Sequence, residues 1–373
     1  MARPRFILSI DGGGIRGVIP ARVLAALERR LRGAGLTGPL ADYFDLVIGT
    51  STGGILAAGL TVPSPGRGGL PLTAFELEAL YVSHGPGIFP EPLFDWWDQA
   101  RTLLWSHRYN PRPLEAMIRS VVGDDTRLSA ARTRLVLTTY DILHRRARFL
   151  SNVTPGEIDA RVWQAALATA AAPTFLPPVE LEELPSPDGT AAPDPKAGKP
   201  VLVDGGVFAN DPAMAGYVEG LKLRFKAAWE PKTDDDTVVV SLGTGYALEP
   251  YTYRSAKGWS ALSWIQRDGG SPLISIFMDG QASTASYQLN ALLNRRQAKI
   301  HKTEGATVPA GPAHQPLFYY RWDDKLPHAS MERIDNARAD NLRALQAFAD
   351  GIVAKNGAQM DALVGQLAAA FPP

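Results

Sequence analysis

The sequence predicts an α/β fold built on a mostly parallel sheet. Two consecutive stretches read strand, glycine turn, helix, the pattern of parallel strands joined by crossover helices. A third apolar run, Val201–Val203, ends in the same Asp-Gly-Gly sequence that follows the first strand. The composition, 45% hydrophobic and 20% charged over 373 residues, is that of a globular chain long enough for a large core.

The first unit opens with Arg5–Ile10, a short apolar run of the buried-strand type. It breaks at Gly12, Gly13 and Gly14 and resumes as a helix, with Val18, Val23, Leu24, Leu27 and Leu31 at helical spacing and Gly33 and Gly35 to close it. Pro20 near the helix start has no N–H to lose there. The second unit is a strand (Phe44–Ile48), a sharp turn (Gly49–Gly53) and a helix of small residues (Ile55–Leu60). Thr73 and Glu76 have the spacing of a capping box for a helix running to about Val82. An aromatic segment, Phe89–Tyr109, reads as core or lid, with membrane insertion as the alternative. Strands are expected at Leu135–Thr139, Arg148–Ser151, Thr237–Leu242 and Phe318–Trp322, and helices at Ile158–Ala168 and Ile274–Leu293. The basic stretch His144–Arg148 reads as a solvated turn between strands. Residues 184–200, rich in Pro, Gly, Asp and Ala, read as an exposed insert because strand pattern resumes after them. Residues 1–330 therefore read as one domain, with two Ala/Leu-rich helices in 331–373, broken near Gly357, packed on it.

Composition excludes several classes of chemistry. There is no cysteine, hence no disulfide, thiolate metal site or cysteine nucleophile. Lys plus Arg and Asp plus Glu both number 38, so no global field recruits nucleic acid. Carboxylates and histidines show no metal-ligand spacing, and neither a metal nor a cofactor is expected. The apolar core near the N-terminus is too short for a secretory signal, and no uninterrupted membrane span appears. A cytoplasmic protein is the expectation.

Gly12-x-Gly14-x-x-Gly17 follows a strand and precedes a helix, as a dinucleotide fingerprint would. That reading needs an acid at the end of the next strand. Asp42 and Asp45 stand at or before its start, and its end is Gly49-Thr50-Ser51. A phosphate-binding P-loop fails too, because no Gly-Lys-Ser/Thr follows. The second turn, "GTSTG", is a G-x-S-x-G between strand and helix, the setting of a nucleophile elbow. Gly49 and Gly53 let the turn form around Ser51, and the helix N-terminus beyond it favours negative charge. A serine needs a base. None of the six histidines stands at a glycine-rich strand end, whereas Asp204 does. Taken alone, Asp204 would be ordinary Asp-Gly turn chemistry.

An ordered set of motifs resembles the patatin-like phospholipase family. "DGGGIRG" (Asp11–Gly17) is similar to its oxyanion loop and "GTSTGG" (Gly49–Gly54) to its nucleophile elbow. "ATAAAPTFLPP" (Ala168–Pro178), "DGGVFANDP" (Asp204–Pro212) and "SLGTG" (Ser241–Gly245) resemble its later motifs, so the resemblance spans about residues 5–300. It implies a three-layer α/β/α fold and a Ser–Asp dyad without histidine. Ser51 matches the nucleophile and Asp204 the base. The N–H groups of Gly12, Gly13 and Gly14, with Arg16 close by, match the oxyanion hole. Asp211 departs from a frequent asparagine and adds a negative charge near the site. The implied activity is hydrolysis of acyl esters of phospholipids at a membrane surface, peripherally at the inner membrane and without calcium. Some enzymes of this type are antiviral effectors switched on by a cyclic nucleotide; the aromatics and arginines of 246–271 are compatible with that role, as with a housekeeping hydrolase, a lipid-binding relative or a homo-oligomer.

Overall fold

The computed structural model describes residues 3–90, 108–152, 159–189, 192–194, 198–226, 237–247, 250–265, 271–294 and 318–372. The central sheet has eight strands: β1 (Arg5–Ile10), β2 (Leu46–Thr50), β3 (Arg134–Asp141), β4 (Arg146–Ser151), β5 (Val179–Glu180), β6 (Val201–Asp204), β7 (Thr237–Leu242) and β8 (Tyr319–Trp322). Their spatial order is β8-β7-β1-β2-β3-β6-β5, with β4 on β3. From β8 to β3 every pairing is parallel.

Alternating side chains of one strand enter opposite layers. Phe6, Leu8 and Ile10 of β1 join a large core beneath helices α1 (Val18–Gly33), α2 (Thr52–Thr61), α3 (Ala74–Ile88), α4 (Arg112–Val122) and α5 (Val162–Thr169). Ile7 points the other way, with Ile48, Val136 and Val239, to meet α6 (Ala213–Lys226). Burial on both faces is why Phe6–Leu8 of β1 are apolar without alternation. The capping box at Thr73 and Glu76 forms, and its helix runs to Ile88, about six residues beyond the sequence expectation. Short helices α7 (Tyr253–Ala256) and α8 (Ala261–Ile265) precede α9 (Pro272–Leu289). The C-terminal helices α10 (Ala339–Lys355) and α11 (Gly357–Ala370) lie over α1, tied by Arg22 to Asp350 and Arg30 to Asp361.

One strand departs from expectation. Asp204 was to end another parallel strand, but β6 runs antiparallel to β3. Along residues 139–141 of β3, one edge is occupied by β4 and the other by β6; along 134–138 that second edge belongs to β2. β2 and β6 therefore meet end to end on one edge of β3, and the meeting point lies between Thr50 and Asp204. Of the aromatic segment, residues 91–107 lie outside the described residues; Phe89 and Tyr109 pack edge to face with centroids 5.3 Å apart. His144 and Arg145 form the turn between β3 and β4, where Asp141 receives the His144 ring nitrogen at 2.7 Å.

Candidate active site

Ser51 stands at the abrupt change from β2 to α2 with φ 56° and ψ −125°. A non-glycine residue in this conformation carries about 1–3 kcal/mol of strain, held by its surroundings. Its N–H donates to the Thr169 hydroxyl at 3.0 Å, and that hydroxyl donates to the Thr138 carbonyl at 2.6 Å. Thr50 is anchored by the Ala209 carbonyl at 2.6 Å. Close approach explains the flanking glycines. A Cβ on Gly49 would strike the Gly53 carbonyl, and one on Gly53 would strike the Ile10 carbonyl.

Asp204 arrives from the facing strand. Its Oδ1 accepts the Gly206 N–H at 2.7 Å, and the Ser51 hydroxyl interacts with the same carboxyl. Burial raises the carboxyl pKa to about 6, with the Ser51 hydroxyl and the Gly206 N–H pulling it partly back. A carboxyl in that range is a better proton acceptor than an exposed one, yet is mostly ionised at neutral pH. Among the described residues, none of His84, His144 and His328 lines the cavity that holds Ser51 and Asp204.

The glycine loop divides its donors. The Gly12 N–H, expected in the oxyanion hole, is engaged by the Asn210 carbonyl at 3.0 Å. The missing side chain of Gly12 matters instead, since a Cβ there would lie 2.5 Å from Asn210 Oδ1 and 3.2 Å from Ser51 Cβ. Gly13 and Gly14 line the cavity beside Ser51, and among the described residues their N–H groups meet no acceptor. Gly14 has φ 57° and its α-carbon abuts the Ile334 carbonyl, which leaves room for no side chain. Arg16, expected beside the oxyanion, is not part of the cavity wall. It is buried and donates to the Gly245 carbonyl at 3.1 Å, bracing the loop against the "SLGTG" turn.

The cavity holds about 270 Å³. Ile55, Ile88, Leu114, Met117, Phe175 and Leu176 form apolar walls, and Ile274, Phe277 and Met278 of α9 form a side of it. The polar groups are gathered at Ser51, Asp204, Asn210 and the glycine loop. Asn210 is a site residue that motif reading did not single out: it is buried in the wall, accepts from Gly12 and takes the Gln281 side chain on its own N–H at 2.8 Å. No cluster suited to a metal ion occurs among the described residues.

Behind the loop lies a buried charge cluster. Arg321 of β8 reaches Asp11 at 2.7 Å, Asp323 at 2.7 Å and Asp211 at 3.1 Å. Burial raises the carboxyls of Asp11 and Asp211, and Arg321 offsets this in both. The departure at Asp211 thus places its charge on Arg321, not in the cavity. Residues 8–217 match the family model for patatin-like phospholipase. The chain belongs to that family. It is 32% identical to patatin-like protein 1 of rice over 96% of this chain and 84% of that one. Patatin-like protein 2 of Arabidopsis thaliana is also 32% identical, over 95% and 84%. Patatin-T5 of potato is 30% identical, over 83% of this patatin-like chain and 79% of its own.

Proposed function

We propose that this chain is a lipid acyl hydrolase that cleaves phospholipid esters, in the manner of a phospholipase A, by a Ser51–Asp204 dyad without histidine. The observation that carries the reading is a strained serine beside a buried carboxyl in the wall of one apolar cavity. Ser51 Oγ attacks the ester carbonyl carbon while Asp204 takes its proton. The carbonyl oxygen becomes an oxyanion received by the Gly13 and Gly14 N–H groups, a service worth about 3 kcal/mol per donor. Collapse of the intermediate breaks the ester C–O bond, and Asp204 returns the proton to the departing lysolipid alcohol. Water then gives a proton to Asp204 and attacks the acyl-serine. Fatty acid leaves and Ser51 regains its hydrogen.

Membrane access is peripheral in this reading, from the cytoplasmic side of the inner membrane; among the described residues no helix is long and apolar enough to cross a bilayer. The test is fatty-acid release from mixed phospholipid vesicles, wild type against Ser51→Ala, in chelator, with and without cyclic di- and trinucleotides. Release that vanishes with Ser51→Ala and persists in chelator supports the dyad. A requirement for one nucleotide would make the chain a switched effector of the antiphage type. Equal release from both proteins would refute the nucleophile. Vesicle binding without release under every condition would mark a lipid-binding relative.

A further inference from the structure

We infer that the face formed by α7, α8 and the first half of α9 seats on a bilayer and presents lipid to the cavity. The inference rests on the hydrolase reading of that cavity for its purpose, though not for its geometry. Tyr253, Leu262, Ile265, Leu273, Ile276 and Phe277 are all exposed, Tyr253 by 82%, Leu262 by 61% and Phe277 by 55%. Contiguous apolar exposure of this kind marks an interaction site. On α9, Leu273, Ile276 and Phe277 follow helical spacing along the open side, while Ile274, Phe277 and Met278 line the cavity. Phe277 belongs to both sets, so the patch is continuous with the cavity wall.

The elements form one unit. Tyr251 stacks edge-on against Trp259 at 5.0 Å and Trp259 against Trp264 at 4.9 Å, while α8 packs on α9 and the Tyr251 hydroxyl faces Ser275 of α9. Charge selects the occupant. Residues 250–265 contain Arg254 and Lys257 and no acid. The adjoining acids Asp279 and Glu332 interact with the buried Arg16 behind the helix. Exposed aliphatics, aromatics at the margin and basic residues among them suit an interface carrying anionic headgroups.

The test uses the full chain in the Ser51→Ala background, so that vesicles stay intact, and measures flotation with phosphatidylcholine vesicles with and without phosphatidylglycerol. Leu262→Ser with Ile265→Ser is expected to weaken partition to both vesicle types by roughly tenfold or more. Arg254→Glu with Lys257→Glu is expected to weaken it about tenfold on phosphatidylglycerol vesicles only, an effect that fades at high salt. With Ser51 restored, both variants should hydrolyse a soluble short-chain ester at the wild-type rate, which also reports their folding. Partition equal to the unmodified chain in both pairs would overturn the inference. So would a dimer that the substitutions convert to monomer while vesicle binding is unchanged, because the face would then be covered by a second copy. Wild type that floats with vesicles yet releases no fatty acid would refute the hydrolase reading and leave the docking surface standing.

Discussion

Replacing Asp204 by asparagine should cost all activity and increase stability, but only at neutral and alkaline pH. Burial moves the Asp204 carboxyl from its ordinary 3.8 to about 6. The folded chain thus holds this proton more tightly than the unfolded chain. The stability linked to the group is complete below about pH 4 and is lost as pH rises through its folded value. At about 1.4 kcal/mol per unit, ionising Asp204 in place opposes folding by up to about 3 kcal/mol at pH 8. Asparagine has nearly the same shape, and its carbonyl oxygen still accepts from Gly206. Urea unfolding of wild type and Asp204→Asn, followed at pH 8 and pH 4, gives the difference directly. The expected gain is about 1–3 kcal/mol at pH 8 and close to zero at pH 4, the lower figure allowing for relaxation around the charge. An equal difference at the two pH values would show that packing governs the site, and the argument from desolvation would fall.

The same carboxyl should set an acidic limb near pH 6 in kcat/KM on a soluble ester, with a fall of about tenfold between pH 7 and pH 5. Organic cosolvent should move that limb upward, as it does for a neutral acid and not for an imidazolium; a limb that moves down would implicate a histidine. Ser51→Gly should abolish hydrolysis while raising stability by up to about 2 kcal/mol, because glycine accepts φ 56° without strain; a loss on thermal unfolding would mean that the turn is relaxed. Arg321→Met should cost about 3–5 kcal/mol by leaving Asp11 and Asp211 buried without a cation, and less at pH 5 than at pH 8 as those carboxyls take up protons; a pH-independent loss in urea unfolding would count against the charge cluster.

Local chemistry made much of this site legible in the sequence. The glycines around Ser51 are dictated by close backbone approach, and approach of that kind leaves a short, readable pattern. The capping box at Thr73 is likewise complete within four residues. Pairing partners left no such trace. Three apolar residues followed by Asp204 look the same whether the strand runs parallel or antiparallel, so only the structure shows β2 and β6 meeting end to end. The glycine loop could not be divided into donors and spacers either, since the acceptor for Gly12 is the main chain of Asn210, some two hundred residues away. Thr169, which steadies Ser51, sits in a helix where threonine has no distinctive reading.

The Arg321 cluster bears on how such a chain is made. Asp11 directly follows β1, and the cation that pairs with it is placed by β8, about three hundred residues later in the chain. The region shared with the family model ends at residue 217, so Ser51, Asp204 and the glycine loop are all synthesised before Arg321, the counter-charge of Asp11 and Asp211, exists. A nascent chain cannot close the sheet around Asp11 and Asp211 at low energy until Arg321 emerges. Closure of the loop that carries Gly13 and Gly14 therefore waits on β8, the last strand of the sheet among the described residues.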